Sequence, residues 1–413
     1  MLRRLSFIVT TVIFWHLCSA VTLAETKKPE QLDKFLPGPL EVIIPDPLLP
    51  PLWDKQPLTL EQRQKLETAL DELNQEAAVT LQGGDRVKAY EIWNRELRLR
   101  RLLGSLAEVQ ALSRVGAIAW NQNEREELKY ITQRLQAIQK PKPAKKKDAP
   151  KTPDLELWRS LGEAYQKIRV PKLAIEAYNQ VLALVRQQKD TTAELETLKT
   201  IGELHLSWFD YLSAAATYEE LLGFATIQGD GVNEIAYLQQ LAYIYQQAKQ
   251  PQKAINVLDK LVKIYTNENN LTQISGLKIA IATNYESLGQ ENPSLLQQAF
   301  NNYQEAYTTA WQLQQFVIAS EALQKIIALY RSQGQIEAAL QTSQILLTAE
   351  QLATNFYGLM QAYDEMGKLY LERQQYPQAL TAFQKGLELA QELKHQEAYF
   401  TQQIEKLSTP ADK

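Results

Sequence analysis

One residue class returns at a fixed interval across more than half of this chain. Gly162, Gly202, Ala242 and Ala282 stand 40 residues apart, Ile327 follows after 45, and Gly367 after a further 40. The five extra residues fall at Gly289-Gln290-Glu291-Asn292-Pro293, which has the composition of a loop. Twelve residues past each small position comes an alanine: Ala174, Ala214, Ala254, Ala339 and Ala379, with Ala299 seventeen past where the insertion intervenes. Three residues past it come Tyr165, Tyr245, Tyr285, Tyr330 and Tyr370, with His205 in the second unit. Four residues past each alanine come Tyr178, Tyr218, Leu258, Tyr303, Ser343 and Phe383. Offsets of about 3 and 4 place side chains on one face of a helix, so each unit reads as two amphipathic helices joined by a short turn. Small residues let two helices cross closely, and the aromatics fill the space beside the crossing.

Two further features carry a resemblance. A large residue stands at the fourth position of five units, Trp158, Leu198, Leu238, Leu323 and Tyr363, with Lys278 in the fourth unit. The middle of the first helix reads Leu161-Gly162, Ile201-Gly202, Leu241-Ala242 and Met366-Gly367. On these residues the chain resembles the tetratricopeptide repeat (TPR) family, in an extended form whose step is 40 residues where the family's is about 34. Ile327 departs from the pattern, and the family's closing proline is missing from most units. The resemblance implies an all-α fold, a right-handed α-α superhelix or TPR solenoid, with six units over residues 154–395. In the family a concave groove lined by the first helix of each unit binds extended peptides or partner helices. Carried over residue by residue, the groove positions are Arg159 and Glu163, Lys199 and Glu203, Gln239 and Tyr243, Ile279 and Thr283, Gln324 and Ala328, and Asp364 and Lys368. Arg159, Glu163, Lys199, Glu203, Gln239, Tyr243, Gln246 and Ile279 are the residues expected to meet a protein ligand. The family's chaperone-tail clamp holds a terminal carboxylate with lysine and asparagine; Glu163 and Glu203 would repel one.

The flanks read differently. Residues 1–24 open with Arg3-Arg4, continue with an apolar run from Leu5 and reach Ser19-Ala20 and Thr22-Leu23-Ala24, the order of a secretory signal; an uncleaved membrane anchor is the alternative. Residues 25–58 hold eight prolines, which excludes a long helix or a central strand and leaves an extended arm. Composition supports a spacer; the other reading is a peptide that docks in a groove, its own chain's or a partner's, through Leu48, Leu49, Leu52 and Trp53. Residues 59–139 read as two divergent TPR-like hairpins, starting at an N-cap Thr59 with Gln62 three residues on and turning at Gly83-Gly84-Asp85. Residues 140–153 carry six lysines and four prolines and read as a linker, with contact between Lys140–Lys151 and anionic lipid as the alternative. Residues 396–413 read as a capping helix and tail.

The chemistry expected of such a chain is binding. Of three histidines only His205 and His395 lie beyond the N-terminal segment, and the single cysteine, Cys18, lies within it, so paired-histidine metal sites, thiolate sites and a mature disulfide are excluded. No Gly-rich phosphate loop and no Gly-x-Ser-x-Gly elbow occurs, so neither a cofactor nor an enzymatic activity is expected. A net charge of −4 gives no reason to expect nucleic acid. The expectation is a non-catalytic protein-interaction scaffold, exported to a periplasm or thylakoid lumen, free or membrane-anchored, that assists assembly or organisation of envelope or membrane complexes. The alternative is an envelope- or membrane-attached structural or sorting module that uses the basic linker and the proline arm.

Overall fold

The computed structural model describes residues 38–42, 45–49, 57–140 and 154–408. The signal or anchor segment, Leu52, Trp53, most of the basic linker and the last five residues lie outside the described residues. Among those described, the chain is all-α, with seventeen α helices that pack in sequence-adjacent pairs as a TPR-like solenoid does. By its contacts it divides into two compact units: Met1–Ala149 with Glu163–Arg169, and Pro150–Gly162 with Val170–Lys413.

The first unit holds α1 (Leu60–Gln82), α2 (Arg86–Arg100), α3 (Ser105–Asn121) and α4 (Arg125–Gln139). The Thr59 cap forms as its sequence requires, its hydroxyl accepting from Gln62 N while the Gln62 side chain accepts from Thr59 N. The turn at Gly83-Gly84-Asp85 also forms, with Gly84 at φ +92° and Asp85 capping α2. Two carboxylates sit fully inside the unit. Glu96 is held by Arg100 at 2.9 Å and by Arg114, whose Nη2 reaches its two oxygens at 2.7 and 2.9 Å; Glu108 is held by Arg101 at 2.8 Å and by Arg134 at 2.5 and 2.9 Å. A buried charge persists only where its partners replace lost hydration, and each of these has two guanidinium groups.

The arm is no free spacer where it is described. Asp46 makes a two-pronged ion pair with Arg95 at 2.7 and 2.9 Å, Arg98 donates to the Pro39 carbonyl at 2.6 Å, and Arg101 donates to the Leu40 carbonyl. Leu48 and Leu49 pack against Leu66, Leu70, Leu73 and Leu99 of α1 and α2. Arg95, Arg98 and Arg101 recur at steps of three, a single stripe of α2 and the residue after it, so one row of arginines grips the strap. Residues 38–42 and 45–49 thus lie against this chain's own helices, held by apolar and charged partners that composition could not place, while Leu52 and Trp53 of the docking reading lie outside the described residues.

The second unit repeats one motif. After α5 (Leu155–Lys167), which the two units divide at Gly162, come α6 (Pro171–Gln188), α7 (Thr191–Ser207), α8 (Tyr211–Gln228), α9 (Gly231–Gln247) and α10 (Pro251–Asn267). These are followed by α11 (Ile274–Gly289), α12 (Leu296–Gln312), α13 (Phe316–Ser332), α14 (Ile336–Leu352), α15 (Phe356–Glu372), α16 (Tyr376–Leu393) and the closing α17 (Glu397–Ser408). Pro171 and Pro251 open α6 and α10, where a missing N–H costs nothing. Asp190, Asp210 and Asp230, 20 residues apart, cap α7, α8 and α9 through Ala193 N, Ser213 N and Asn233 N. Left-handed residues close the helices in the same register: Phe209, Lys249, Gly334 and Gln374 within pairs, Lys189, Gly229, Asn269, Gln314, Thr354 and Lys394 between them. The insertion resolves into the end of α11, which includes Gly289, and a single 3₁₀ turn at Pro293–Leu295.

The period has a packing cause. All six repeat alanines, Ala174, Ala214, Ala254, Ala299, Ala339 and Ala379, are fully buried. A Cβ added to Gly162 would come within 2.8 Å of the Tyr178 ring, one on Gly202 within 2.9 Å of Tyr218, and one on Gly367 within 2.7 Å of Phe383. Each pair is separated by 16 residues. The same two positions hold Ala242 with Leu258 and Ile327 with Ser343, the last two both buried. The departure at Ile327 is thus matched by a small residue opposite, and the volume at the crossing is kept.

Candidate functional site

In the second unit the helices that open each pair, α7, α9, α11, α13 and α15, bury one side against their partners and leave another open. Leu198, Ile201 and Gly202 of α7 are buried while Lys199 and Glu203 are exposed; Leu238 and Leu241 of α9 are buried while Gln239, Tyr243 and Gln246 are exposed. Arg159 of α5 is half-buried. Glu163, in the part of α5 that belongs to the first unit, is exposed. Gln239 is tied back by a hydrogen bond from Nε2 to the Tyr265 hydroxyl at 3.1 Å.

Ile279 does not fit the expectation. It is 6 % exposed and packs with Ala282, Ala299 and Tyr303, so it belongs to the core and offers no surface to a ligand. Its neighbour Thr283 is occupied too, donating to the Ile279 carbonyl and meeting the Tyr303 hydroxyl at 3.0 Å. The cause lies beside it: Lys278, at a position where five units carry a large residue, leaves the core for Glu305 at 2.7 Å, and Ile279 takes up buried space.

Three other expected positions come together. Gln324, Ala328 and Asp364 line one cavity of about 390 Å³ on the α13–α15 side, with Ile327, Leu346, Gln361, Ala362 and Glu365. Its charges are already balanced. Asp364 pairs with Lys368 at 2.7 Å and accepts from the Tyr399 hydroxyl at 2.8 Å; Glu365 pairs with Arg331 at 2.6 Å. Gln324 reaches toward the buried Glu350 at 3.4 Å, whose carboxyl burial pushes up in pKa while Asn355 Nδ2 at 2.8 Å opposes the shift. What stays open in the lining is amide and aliphatic surface, suited to peptide groups and neutral side chains rather than to a charged ligand.

A second surface was missed at the sequence level. Trp208, Phe209 and Leu212, at the turn between α7 and α8, are exposed, Phe209 by 75 %, and Tyr211 hydrogen-bonds the exposed Tyr243 of α9. The rings of Phe209 and Tyr211 lie 6.3 Å apart. The signal was present, since Trp208-Phe209-Asp210-Tyr211-Leu212 stands where other pairs turn on Lys249-Gln250 or Gln374-Gln375. His205 is explained by its place beside this turn: its Nδ1 lies 3.0 Å from Asp210, the cap of α8.

Among the described residues no group of three or more His, Cys, Asp or Glu is arranged to hold a metal ion, and no helix is long and apolar enough to cross a membrane. The tetratricopeptide repeat model matches residues 235–268, which span most of α9 and all of α10. No curated protein matches the chain in sequence. Solved structures with some likeness include BtubC (BKLC) from P. vanneervenii, at 17 % identity over 54 % of this chain and 92 % of that one, TM-score 0.39. The apo quorum sensor NprR from B. thuringiensis is similar at 17 % identity over 73 % and 80 %, TM-score 0.36. A Rap protein complexed with Competence and Sporulation Factor is similar at 14 % over 84 % and 98 %, TM-score 0.32. This chain is a helical-repeat protein that carries a tetratricopeptide repeat at α9–α10, set in a run of helical pairs of matching spacing.

Proposed function

We propose that this protein is a non-catalytic scaffold that holds an extended segment of a partner protein along the exposed side of its first helices. The observation that carries the reading is the cavity at α13–α15, where groove positions of two successive units, Gln324, Ala328 and Asp364, line one space. Its internally neutralised acids leave the amides of Gln324 and Gln361 to meet backbone groups, while Ile327, Leu346 and Ala362 meet apolar side chains. The aromatic group at Trp208, Phe209, Leu212 and Tyr243 extends the surface with the residue types that dominate interface energetics. Lys199, Glu203, Gln239 and Gln246 lie on the same sides of α7 and α9 as Tyr243 and act as its polar surround.

The setting we assign is an envelope compartment, a periplasm or thylakoid lumen, in which the chain helps assemble or organise membrane or envelope complexes and is anchored or delivered by residues 1–24. Support for that setting is the basic start, apolar centre and small-residue exit of those residues alone. The test is affinity purification of the tagged full chain from its native source after cross-linking. Ala328→Arg, which fills the cavity, and Phe209→Asp with Tyr243→Ala, which breaks the aromatic surface, should each reduce recovery of the same polypeptide at least tenfold. Equal recovery with all three proteins would refute the first-helix surface, and recovery of cytosolic proteins alone would refute the compartment.

A further inference from the structure

The first unit has a cleft on the side of its second helices. It lies between α2 and α4, with Pro39 of the docked strap at its edge, and has a volume of about 760 Å³. Its charged lining is Glu91, Glu124, Glu126 and Glu127 against Arg86 and Arg125, two negative charges in excess. A row of glutamates is ordinarily a solvated face. Tyr90 sets this one apart: it lines the same cleft, is 5 % exposed, and its hydroxyl has no hydrogen-bond partner among the described residues. A hydroxyl cut off from water without a replacement partner is uncommon in a folded protein, because the lost hydration is not returned.

The groups around that hydroxyl are built rather than loose. Asn94 Nδ2 lies 3.2 Å from each oxygen of Glu127 and fixes the carboxylate, while Arg86 reaches Glu124 only at 3.5 Å. Burial, then Glu124 and Glu126, pushes the Glu127 pKa up; burial, then Glu124 and Glu127, pushes the Tyr90 hydroxyl up to about 12. Both groups are thus disfavoured as anions, by burial first and by the neighbouring carboxylates second, and Asn94 beside Glu127 and Arg86 beside Tyr90 offset only part of that penalty. A cation rich in N–H would relieve it and give the hydroxyl oxygen a donor, whereas the carboxylates are not grouped to hold a metal ion.

We propose that the cleft between α2 and α4 binds a primary ammonium group, carried by a lysine side chain of a peptide or by a free polyamine, with the Glu127 carboxylate and the Tyr90 hydroxyl as its acceptors. Three ammonium hydrogens match these two acceptors and the Glu124 carboxylate. The strap contributes Pro39 to the edge of the cleft.

The test is calorimetric titration of the full chain with spermidine and, separately, with the blocked tripeptide N-acetyl-Gly-Lys-Gly-amide. Saturable binding is expected, weakened about tenfold by Glu127→Gln, as loss of a charge-assisted contact requires. Tyr90→Phe should weaken it about threefold, on the scale of one neutral hydrogen bond. Arg86→Gln should strengthen it, and Glu61→Gln on the exposed side of α1 should leave it unchanged. Because the Tyr90 hydroxyl has no partner, Tyr90→Phe should not lower the unfolding midpoint, so lost binding in that variant cannot be lost folding. Binding of spermidine alone identifies a polyamine site, and binding of the tripeptide identifies a lysine side chain. No saturable binding of either probe, or binding that Glu127→Gln leaves intact, overturns the assignment.

Discussion

Replacing Gly367 by alanine should destabilise the last helical pair, although alanine is the better helix former. The glycine lies inside α15, where alanine alone would add about 1 kcal/mol of helix propensity. The added Cβ would stand 2.7, 2.8 and 2.9 Å from three carbons of the Phe383 ring. That ring cannot swing away: it is fully buried among Met360, Ala379, Ala390 and Phe400. Overpacking a filled core costs about 1–3 kcal/mol, so with the gain of about 1 kcal/mol set against it the balance is a loss of up to about 2 kcal/mol. Phe383→Leu alone should lose about 1–2 kcal/mol through the space it leaves, less than truncation to alanine would. Together the two changes reproduce the pair Ala242 and Leu258 of the third unit, and the double variant should lose only about 1 kcal/mol, a coupling of up to about 3 kcal/mol. Urea unfolding gives the totals, and amide exchange in α15 and α16 reads the local effect, because stacked repeats can lose all-or-none behaviour. Single losses that add to within about 0.5 kcal/mol, or an alanine variant more stable than the parent, would show that the ring does not set the size of residue 367.

Glu96→Ala should cost about 3–5 kcal/mol in the first unit, since it leaves Arg100 and Arg114 without their buried partner; a shift in urea midpoint worth under about 1 kcal/mol would mean the guanidinium groups find water instead. Asp46, held below the ordinary carboxylate range chiefly by its hydrogen bond from Arg95, should keep the strap docked above that range and release it as pH falls through its depressed pKa. Amide exchange at Leu48 and Leu49 follows the release, and Asp46→Asn should remove its pH dependence. Glu350, pushed up by burial, has the opposite sign: its contribution is fully present below the unfolded carboxyl pKa and is lost as pH rises through the raised folded value. Glu350→Gln should therefore flatten the pH dependence of unfolding above about pH 4.3, and an unchanged slope would count against it.

Much of the second unit was legible because its information is local and repeated. Helix ends were written in Asp190, Asp210, Asp230, Pro171 and Pro251, and the depth of each alanine in a spacing of helical period. Ile279 misled because a groove position was transferred by register alone. Register fixes the angle of a residue about its helix, but Lys278 one place earlier changed which side chain the core received. The aromatic turn at Trp208–Leu212 is legible as apolar, yet only the folded chain shows that Trp208, Phe209 and Leu212 are left exposed.

The sequence by itself determined the element type, the 40-residue phase, the capped helix ends and the small-against-large crossings, since backbone hydrogen bonding and side-chain volume act over a few turns of helix. The tertiary structure alone decided that the proline-bearing strap lies on α2, that Gln324, Ala328 and Asp364 share one cavity, and that the Tyr90 hydroxyl is enclosed without a partner among the described residues. Each of these depends on surfaces brought together from distant parts of the chain; Asp46 and Arg95, 49 residues apart, carry no local mark of each other.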